Sequence, residues 1–257
     1  MRLVSWNCRS GFHRKLEALL ALTPDIAIIP ECSSLDILQT KAPHLSPTSS
    51  VWIGDDPNKG LGVFSFGPYH LIRHDAYDPS IQYALPVRVE GPRADTFHLL
   101  ALWAHHGLAG RTMATFGPVL RALALYEQFL CARPSIVAGD FNNHIRWDKT
   151  GKTWNHANSV AAFERMGFVS AYHVFHGLAQ GAERHPTFYW RTRSVDGPTY
   201  HIDYVFLTRA SLTHLQSIEI GTRDAWIATG LSDHLPLIVD LDPIFAAEAV
   251  PAGCAAR

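Results

Sequence analysis

Two periods alternate along this chain. Near-continuous apolar runs at 25–31, 97–104 and 135–140 suit strands buried on both faces. Ahead of the first such strand, Leu16, Leu19, Leu20 and Leu22 recur at helical spacing within 12–22, and Thr23-Pro24 ends the run. With an alternating segment at 2–8, this makes a strand, helix, strand opening of about thirty residues. A longer helix is predicted over 111–130 from Met113, Phe116, Leu120, Leu123, Leu125 and Phe129, with Pro118 either kinking it or marking its start. A third helix runs to Met166, capped by Asn158 and stopped at Gly167.

The remaining segments read as strands and turns. Residues 33–50 carry a short helix and a loop, with Pro43 and Pro47 limiting regular structure. Short strands at 51–53, 61–66, 69–73 and 83–89, with turns at Asp55-Asp56-Pro57-Asn58, Gly67-Pro68 and Asp78-Pro79, predict an antiparallel meander. Further strands are expected at 169–174, 187–190, 200–207, 212–220 and 235–241. The economical reading is one domain over 1–245 and a frayed tail over 246–257.

Composition narrows the function classes. The chain has 257 residues, long enough for a sizeable core, and 47% hydrophobic against 18% charged residues leaves no disordered majority. No apolar run reaches the roughly 18 residues of a membrane span, and the start lacks a signal-peptide pattern, so a cytoplasmic protein is expected; it is also expected to be a monomer. Cys8, Cys32, Cys131 and Cys254 are too scattered for a zinc ribbon and read as reduced thiols, with a Cys8–Cys32 disulfide as the alternative. Lys and Arg number 22 against 23 Asp and Glu, so any nucleic-acid binding rests on a local patch rather than on a polycation.

Candidate chemistry sits at strand ends. The run 135–142 stops at Gly139 and presents Asp140, Phe141 and Asn142; by alternation Asp140 and Asn142 share a side while Phe141 turns into the core. A carboxylate beside an amide can grip a metal-bound water and a phosphate oxygen. The plain alternative is a strand end closed by an Asx turn. Other strand ends supply Asn7, Glu31, His105 and His234, with Asp203 inside a strand and Asp233 beside His234. Each alone has an innocent reading: a cap, a surface ion pair, a core histidine.

Together they carry a resemblance. Ser5-Trp6-Asn7, Pro30-Glu31, Gly139-Asp140-Phe141-Asn142, His201-Ile202-Asp203-Tyr204 and Ser232-Asp233-His234-Leu235-Pro236 follow in an order and spacing that resembles the endonuclease/exonuclease/phosphatase superfamily, over residues 2–241. The resemblance implies an α/β fold, a four-layer αββα sandwich of two mixed β-sheets with helices on the outer faces. It also implies magnesium or manganese held by Glu31, with Asn7 and Asp233 beside it. Asp140 would orient or deprotonate water, Asn142 would hold a phosphate oxygen, and His234 oriented by Asp203 would serve as base, acid or electrostatic clamp, with His105 near the site. Departures from the DNA-repair members, Pro30 before Glu31, Cys32-Ser33-Ser34 after it, and Trp103-Ala104-His105-His106, bear on abasic-site repair and not on phosphoester hydrolysis.

Substrate class is read from two flanking segments. Residues 144–156 hold His144, Arg146, Trp147, Lys149, Lys152, Trp154 and His156 against one acid, and 184–193 hold Arg184, His185, Phe188, Tyr189, Trp190, Arg191 and Arg193 with none. Basic residues interleaved with aromatics suit a phosphate backbone with stacked bases, so a nuclease acting on DNA or RNA is expected. Phe188 and Trp190 also alternate as core residues would. The alternatives are a phosphatase or phosphodiesterase of a small phosphorylated molecule or lipid head group, and a catalytically inactive binding module, which the intact residue set disfavours.

Overall fold

The computed structural model describes residues 1–44, 47–92, 96–104, 113–190 and 197–242. His105, Arg191, the start of the 111–130 helix and the 246–257 tail lie outside the described residues. In chain order the elements are β1 (Arg2–Ser5), α1 (Leu16–Leu20), β2 (Ile26–Cys32), α2 (Leu35–Lys41), β3 (Ser49–Asp56), β4 (Lys59–Ser65), β5 (His70–Arg73), β6 (Ala84–Glu90) and β7 (Thr96–Trp103). There follow α3 (Met113–Leu125), α4 (Glu127–Cys131), β8 (Ser135–Asp140), α5 (His156–Arg165), β9 (Phe168–Ser170), α6 (Ala171–His176), β10 (Phe188–Tyr189) and β11 (Thr199–Tyr200). The chain continues through β12 (Asp203–Thr208), β13 (Leu215–Ile220), α7 (Arg223–Trp226) and β14 (Leu237–Leu241).

Two six-stranded sheets form, in the orders β13-β14-β1-β2-β4-β3 and β5-β6-β7-β8-β12-β9, and β10 pairs with β11 in a separate ribbon. Both sheets are mixed: β1 with β2 and β7 with β8 run parallel, and the other pairs antiparallel. The apolar runs explain the layering. In β8, Ile136 and Ala138 enter the core between the sheets, together with Leu3, Ile28, Leu99, Val205 and Val239, while Val137 faces outward. That outward face meets Val119, Leu123, Phe129 and Phe163 from α3, α4 and α5. On the other sheet Val4, Ala27 and Ile29 meet Leu16, Leu19, Leu38 and Trp226 from α1, α2 and α7. Strands buried on both faces thus make the four-layer αββα sandwich expected, each buried large apolar side chain adding about 1.5–3 kcal/mol.

Several boundaries differ from the sequence reading for identifiable reasons. The predicted meander splits: β3 and β4 form a hairpin in one sheet, and β5, β6 and β7 belong to the other. Phe66 and Gly67 donate backbone hydrogen bonds to Asp25 O, and the chain crosses between sheets there. The segment 169–174 is not one strand; β9 ends at Ser170 and α6 follows, closed by Gly177 at φ 63°. Its aromatic, β-branched composition suggests a strand, but Ala171 and Tyr172 are buried in the first turn of α6, where they join the core between the sheets. Asp203 opens β12 rather than lying inside a strand, because Tyr200 pairs with Phe188 in the ribbon. Residues 210–214 form a 3-10 turn ahead of β13. The helix 12–22 is a 3-10 turn plus α1, and Pro118 lies inside α3. Asn158 does not cap α5; Asp148 accepts the first backbone N–H groups, from His156 at 2.6 Å and Ala157 at 3.0 Å, while the Asn158 amide donates to Lys152 O and Thr153 O. Cys8 and Cys32 are free and buried. Cys131 is not the free thiol expected, being disulfide-bonded.

Candidate active site

One end of the sandwich gathers the polar residues. The parallel pairing of β1 with β2 continues past β1, with Trp6 N bonded to Ile28 O and Cys8 N to Pro30 O, which sets Asn7 beside Glu31. Glu31 sits at a bulge where β2 slips register against β4, and its φ is 60°, a left-handed conformation rare outside glycine. The bulge sets the Glu31 side chain at the sheet end. In the other sheet, Asp140 ends β8 opposite Asp203 on β12 and Trp103 on β7. Gly139 lets these strands approach: its φ is 144°, and a Cβ there would lie 1.8 Å from Leu102 O.

The Asn7 amide joins the two sheets. Its Nδ2 donates to Glu31 Oε1 at 3.2 Å and to Asp140 Oδ2 at 2.9 Å, while Oδ1 accepts from Arg9 N at 2.9 Å. Asn142 reaches Asp140 by a route other than strand alternation. Its φ is 46°, its backbone N–H donates to Asp140 Oδ1 at 2.8 Å, and its Nδ2 donates to Asp140 Oδ2 at 3.0 Å. The Asx turn and the chemical arrangement are therefore the same structure. Phe141 points into the core, against Tyr204 and Phe206, as expected.

His234 precedes β14 and is held on several sides. Ser232 Oγ accepts from His234 N at 3.1 Å and donates to Asn7 O at 2.7 Å, and Trp6 Nε1 donates to His234 O at 3.1 Å. The ring nitrogen Nδ1 lies 2.9 Å from Asp203 Oδ2, and Nε2 lies 4.0 Å from Asp140 Oδ2. Thr187 Oγ1 fixes Asp203 by accepting the backbone N–H groups of Ile202 and Asp203. Burial alone would lower the His234 pKa, but Asp203 and Asp140 outweigh it and raise the ring to about 10. Burial pushes the Asp140 carboxyl up, against the opposing pull of His234 and of the Asn7 hydrogen bond.

Asn7, Glu31, Asp140, Asn142, Asp203 and His234 thus converge. Asp233 pairs with Arg9 Nε at 3.4 Å, and among the described residues no hydrogen bond or ion pair joins it to Glu31 or Asn7. Two cations escaped the sequence reading. Lys59 sits 3.2 Å from Glu31 Oε2 and 5.3 Å from the Trp103 ring centre, and Arg9 holds Asp233. Both lie in or beside segments whose composition signalled only a turn. Among the described residues, Asp140, Asp203 and His234 form a group whose ligand atoms lie within 4.8 Å of one another. Within this group only His234 and Asp203 are within hydrogen-bond distance, and their pairing occupies the imidazole; the Glu31 carboxylate offers oxygen donors of the kind a hard cation takes, while Asn7 turns Nδ2 to that carboxylate and Oδ1 to Arg9 N.

The flanking segments divide. Trp147 packs edge-on against Tyr200, with centroids 4.6 Å apart, and Tyr200 pairs with Phe188, whose ring lies 4.7 Å from His234. Trp190 is 49% exposed beside Phe188, so it is surface rather than core. Arg146 and Lys149 are exposed. Trp154 lies under Lys152 Nζ at 5.0 Å, with no described contact leading to the site. Behind Trp147, Glu183 accepts from His144 Nε2 at 3.3 Å and His173 Nε2 at 3.0 Å, tying two loops together. Burial would raise the Glu183 carboxyl, but these two hydrogen bonds hold it well below the usual carboxylate range.

A buried carboxylate, an oriented imidazole and the Glu31 carboxylate thus meet at the ends of two packed sheets. The sequence model of the Endonuclease/Exonuclease/phosphatase family matches residues 4–234, and the chain belongs to that family; the match identifies it as a metal-dependent phosphoester hydrolase. Three solved structures share its fold. The catalytic domain of Xenopus laevis APE2 superposes with a TM-score of 0.69 at 17% identity, covering 100% of this chain and 99% of that one. An AP endonuclease from Archaeoglobus fulgidus gives 0.68 at 17%, covering 94% and 99%. A 3' phosphatase from Neisseria bound to a product DNA hairpin gives 0.67 at 16%, also covering 94% and 99%. No curated protein sequence matches the chain.

Proposed function

We propose that the chain is a nuclease that hydrolyses phosphodiester bonds in DNA or RNA, with magnesium or manganese held at Glu31 and Asn7. The observation that carries the reading is the Asn7 amide, which binds the proposed metal carboxylate and the proposed water-orienting carboxylate at once. The donor set fits such an ion: Glu31 Oε2 is met by the half-exposed Lys59 ammonium, which can give way to a stronger cation. When bound, the ion neutralises charge on the phosphate and its leaving oxygen.

The protein's own groups do the rest. Asp140, buried and gripped by Asn7 and Asn142, orients the attacking water and takes its proton; its raised pKa makes it a competent base. Asn142 holds a non-bridging phosphate oxygen. His234, tied through Nδ1 to Asp203, presents a protonated Nε2 to the phosphate as a donor rather than as a base. Trp147, Trp190, Arg146 and Lys149, with Arg191 in sequence, supply aromatic faces and positive charge for a strand entering beside His234. The 3' phosphatase from Neisseria, solved with a DNA hairpin, supports a nucleic-acid substrate. No helix of the described residues is long and apolar enough to cross a membrane, which fits a substrate met in water.

The test offers purified protein with magnesium or manganese to single-stranded DNA, duplex DNA, RNA and bis(p-nitrophenyl) phosphate in parallel. Higher kcat/KM on at least one nucleic acid than on the small ester is expected. Hydrolysis of the small ester alone overturns the nuclease reading and leaves the phosphoesterase.

A further inference from the structure

Beyond Lys59 a cavity of about 240 Å³ opens between the end of β3 and residues 77–83, lined by Ile53, Gly54, Asp55, Tyr77, Gln82 and Tyr83, among others. By liquid volume this is room for about eight waters, enough for a bicyclic base. Its back wall is strained. Tyr83 has φ 59°, an outlier for a bulky aromatic residue, and shares the left-handed region with Glu31 and Asn142. Its ring centre lies 4.4 Å from that of Trp103, and its carbonyl accepts from Trp103 N at 2.9 Å. Trp103 in turn stands opposite Asp140 in the sheet and beneath the Lys59 ammonium that reaches Glu31. One tryptophan ring and one lysine therefore link the cavity to the Glu31 carboxylate.

The polar lining is directional. The Gln82 amide donates to Asp55 Oδ2, so the lining carries a hydrogen-bonded pair whose remaining oxygens, Gln82 Oε1 and Asp55 Oδ1, are acceptors only. Two such acceptors call for two donors on one edge of a planar ring. Guanine offers N1–H and the N2 amine; adenine and cytosine offer one donor beside an acceptor, and thymine or uracil offers one donor between two acceptors. Tyr77, with the Arg73 guanidinium 5.0 Å from its ring centre on one face, and Tyr83, packed on Trp103, give aromatic walls for such a ring on their remaining faces. The exposed Asp55 in the lining, followed in β3 by the exposed Asp56, opposes a phosphate backbone here and favours a base edge.

We propose that this cavity is a nucleobase subsite that selects guanine beside the scissile phosphate. The proposal rests on the nuclease reading, and the experiment separates the two. Wild-type protein with magnesium or manganese is given single-stranded oligonucleotides carrying one guanine, inosine or adenine at each position in turn, with bis(p-nitrophenyl) phosphate as a base-free control. Products are read by mass spectrometry. Cleavage at a fixed position relative to guanine is expected, with kcat/KM about tenfold above adenine and inosine between them, since inosine keeps N1–H and lacks the amine. Asp55→Ala, a change at an exposed hairpin residue checked by thermal melting, should bring the guanine-to-adenine ratio to about one. Equal rates for guanine and adenine at every position of the wild type, or a ratio that survives Asp55→Ala, overturns the subsite alone. Hydrolysis of the aryl ester with no oligonucleotide cut overturns the nuclease reading and the subsite together.

Discussion

Replacing Asp203 with Asn isolates what the buried carboxylate does for His234. The carboxamide keeps an acceptor at the position of Asp203 Oδ2, 2.9 Å from Nδ1, so the change removes charge more than shape. In the wild type the ring is raised from 6.5 to about 10 in spite of its burial, with Asp203 and then Asp140 as the causes that raise it. Losing a charge-assisted hydrogen bond of this kind costs roughly 1.5–3 kcal/mol. The sign follows from linkage: a pKa raised on folding stabilises the fold fully below 6.5, and the benefit is lost as pH climbs through about 10. The Asp203→Asn protein should therefore unfold at lower urea than the wild type near pH 6.5, with the gap narrowing steadily towards pH 10, both measured in chelator. Turnover on an oligonucleotide near neutral pH should fall at least about a hundredfold as the ring loses its proton. A stability gap that stays constant over that range, or unchanged turnover, refutes the reasoning.

Three other outcomes follow from the geometry. Lys59→Met removes the cation that competes at Glu31 Oε2, and should tighten magnesium or manganese binding by up to about fivefold, the effect of a partly exposed ion pair; weaker binding by calorimetry would contradict it. Gly139→Ala forces a Cβ to within 1.8 Å of Leu102 O at φ 144°, and should cost at least about 3 kcal/mol in urea unfolding; a loss below about 1 kcal/mol would mean the strands can part there. Trp147→Ala should cut kcat/KM on a single-stranded oligonucleotide by about tenfold and spare a small aryl phosphodiester, whereas Trp154→Ala should change neither; the reverse order would move the strand path to Trp154.

Much of the site was legible in the chain because of where its residues stand relative to the apolar runs. Asn7, Glu31 and Asp140 each close a run buried on both faces, so the strand and its polar end are read together, and Asp203 and His234 stand at strand starts in recognisable motifs. The chain conceals what depends on pairing between distant segments. Nothing local says that the hairpin of β3 and β4 joins one sheet while β5 and β6 join the other, and so nothing places Lys59 over Trp103 beside Glu31. Ser232 and Thr187 read as ordinary polar residues; their roles appear only once Asn7 O and the Asp203 backbone N–H lie beside them. Asn142 was placed correctly by an incorrect route, since a positive φ rather than strand alternation turns it back onto Asp140.

The central claim is that one metal-dependent centre, built on Glu31 and Asp140, cleaves phosphodiesters. The most direct measurement is cleavage of a labelled single-stranded oligonucleotide by wild-type, Glu31→Ala and Asp140→Asn proteins, first in chelator and then across a magnesium or manganese titration. Cleavage should be absent in chelator and recover in wild type on adding metal, with a rightward-shifted metal requirement for Glu31→Ala and turnover reduced at all metal concentrations for Asp140→Asn. Undiminished cleavage by the wild type in excess chelator, or wild-type turnover by Asp140→Asn, would contradict that claim.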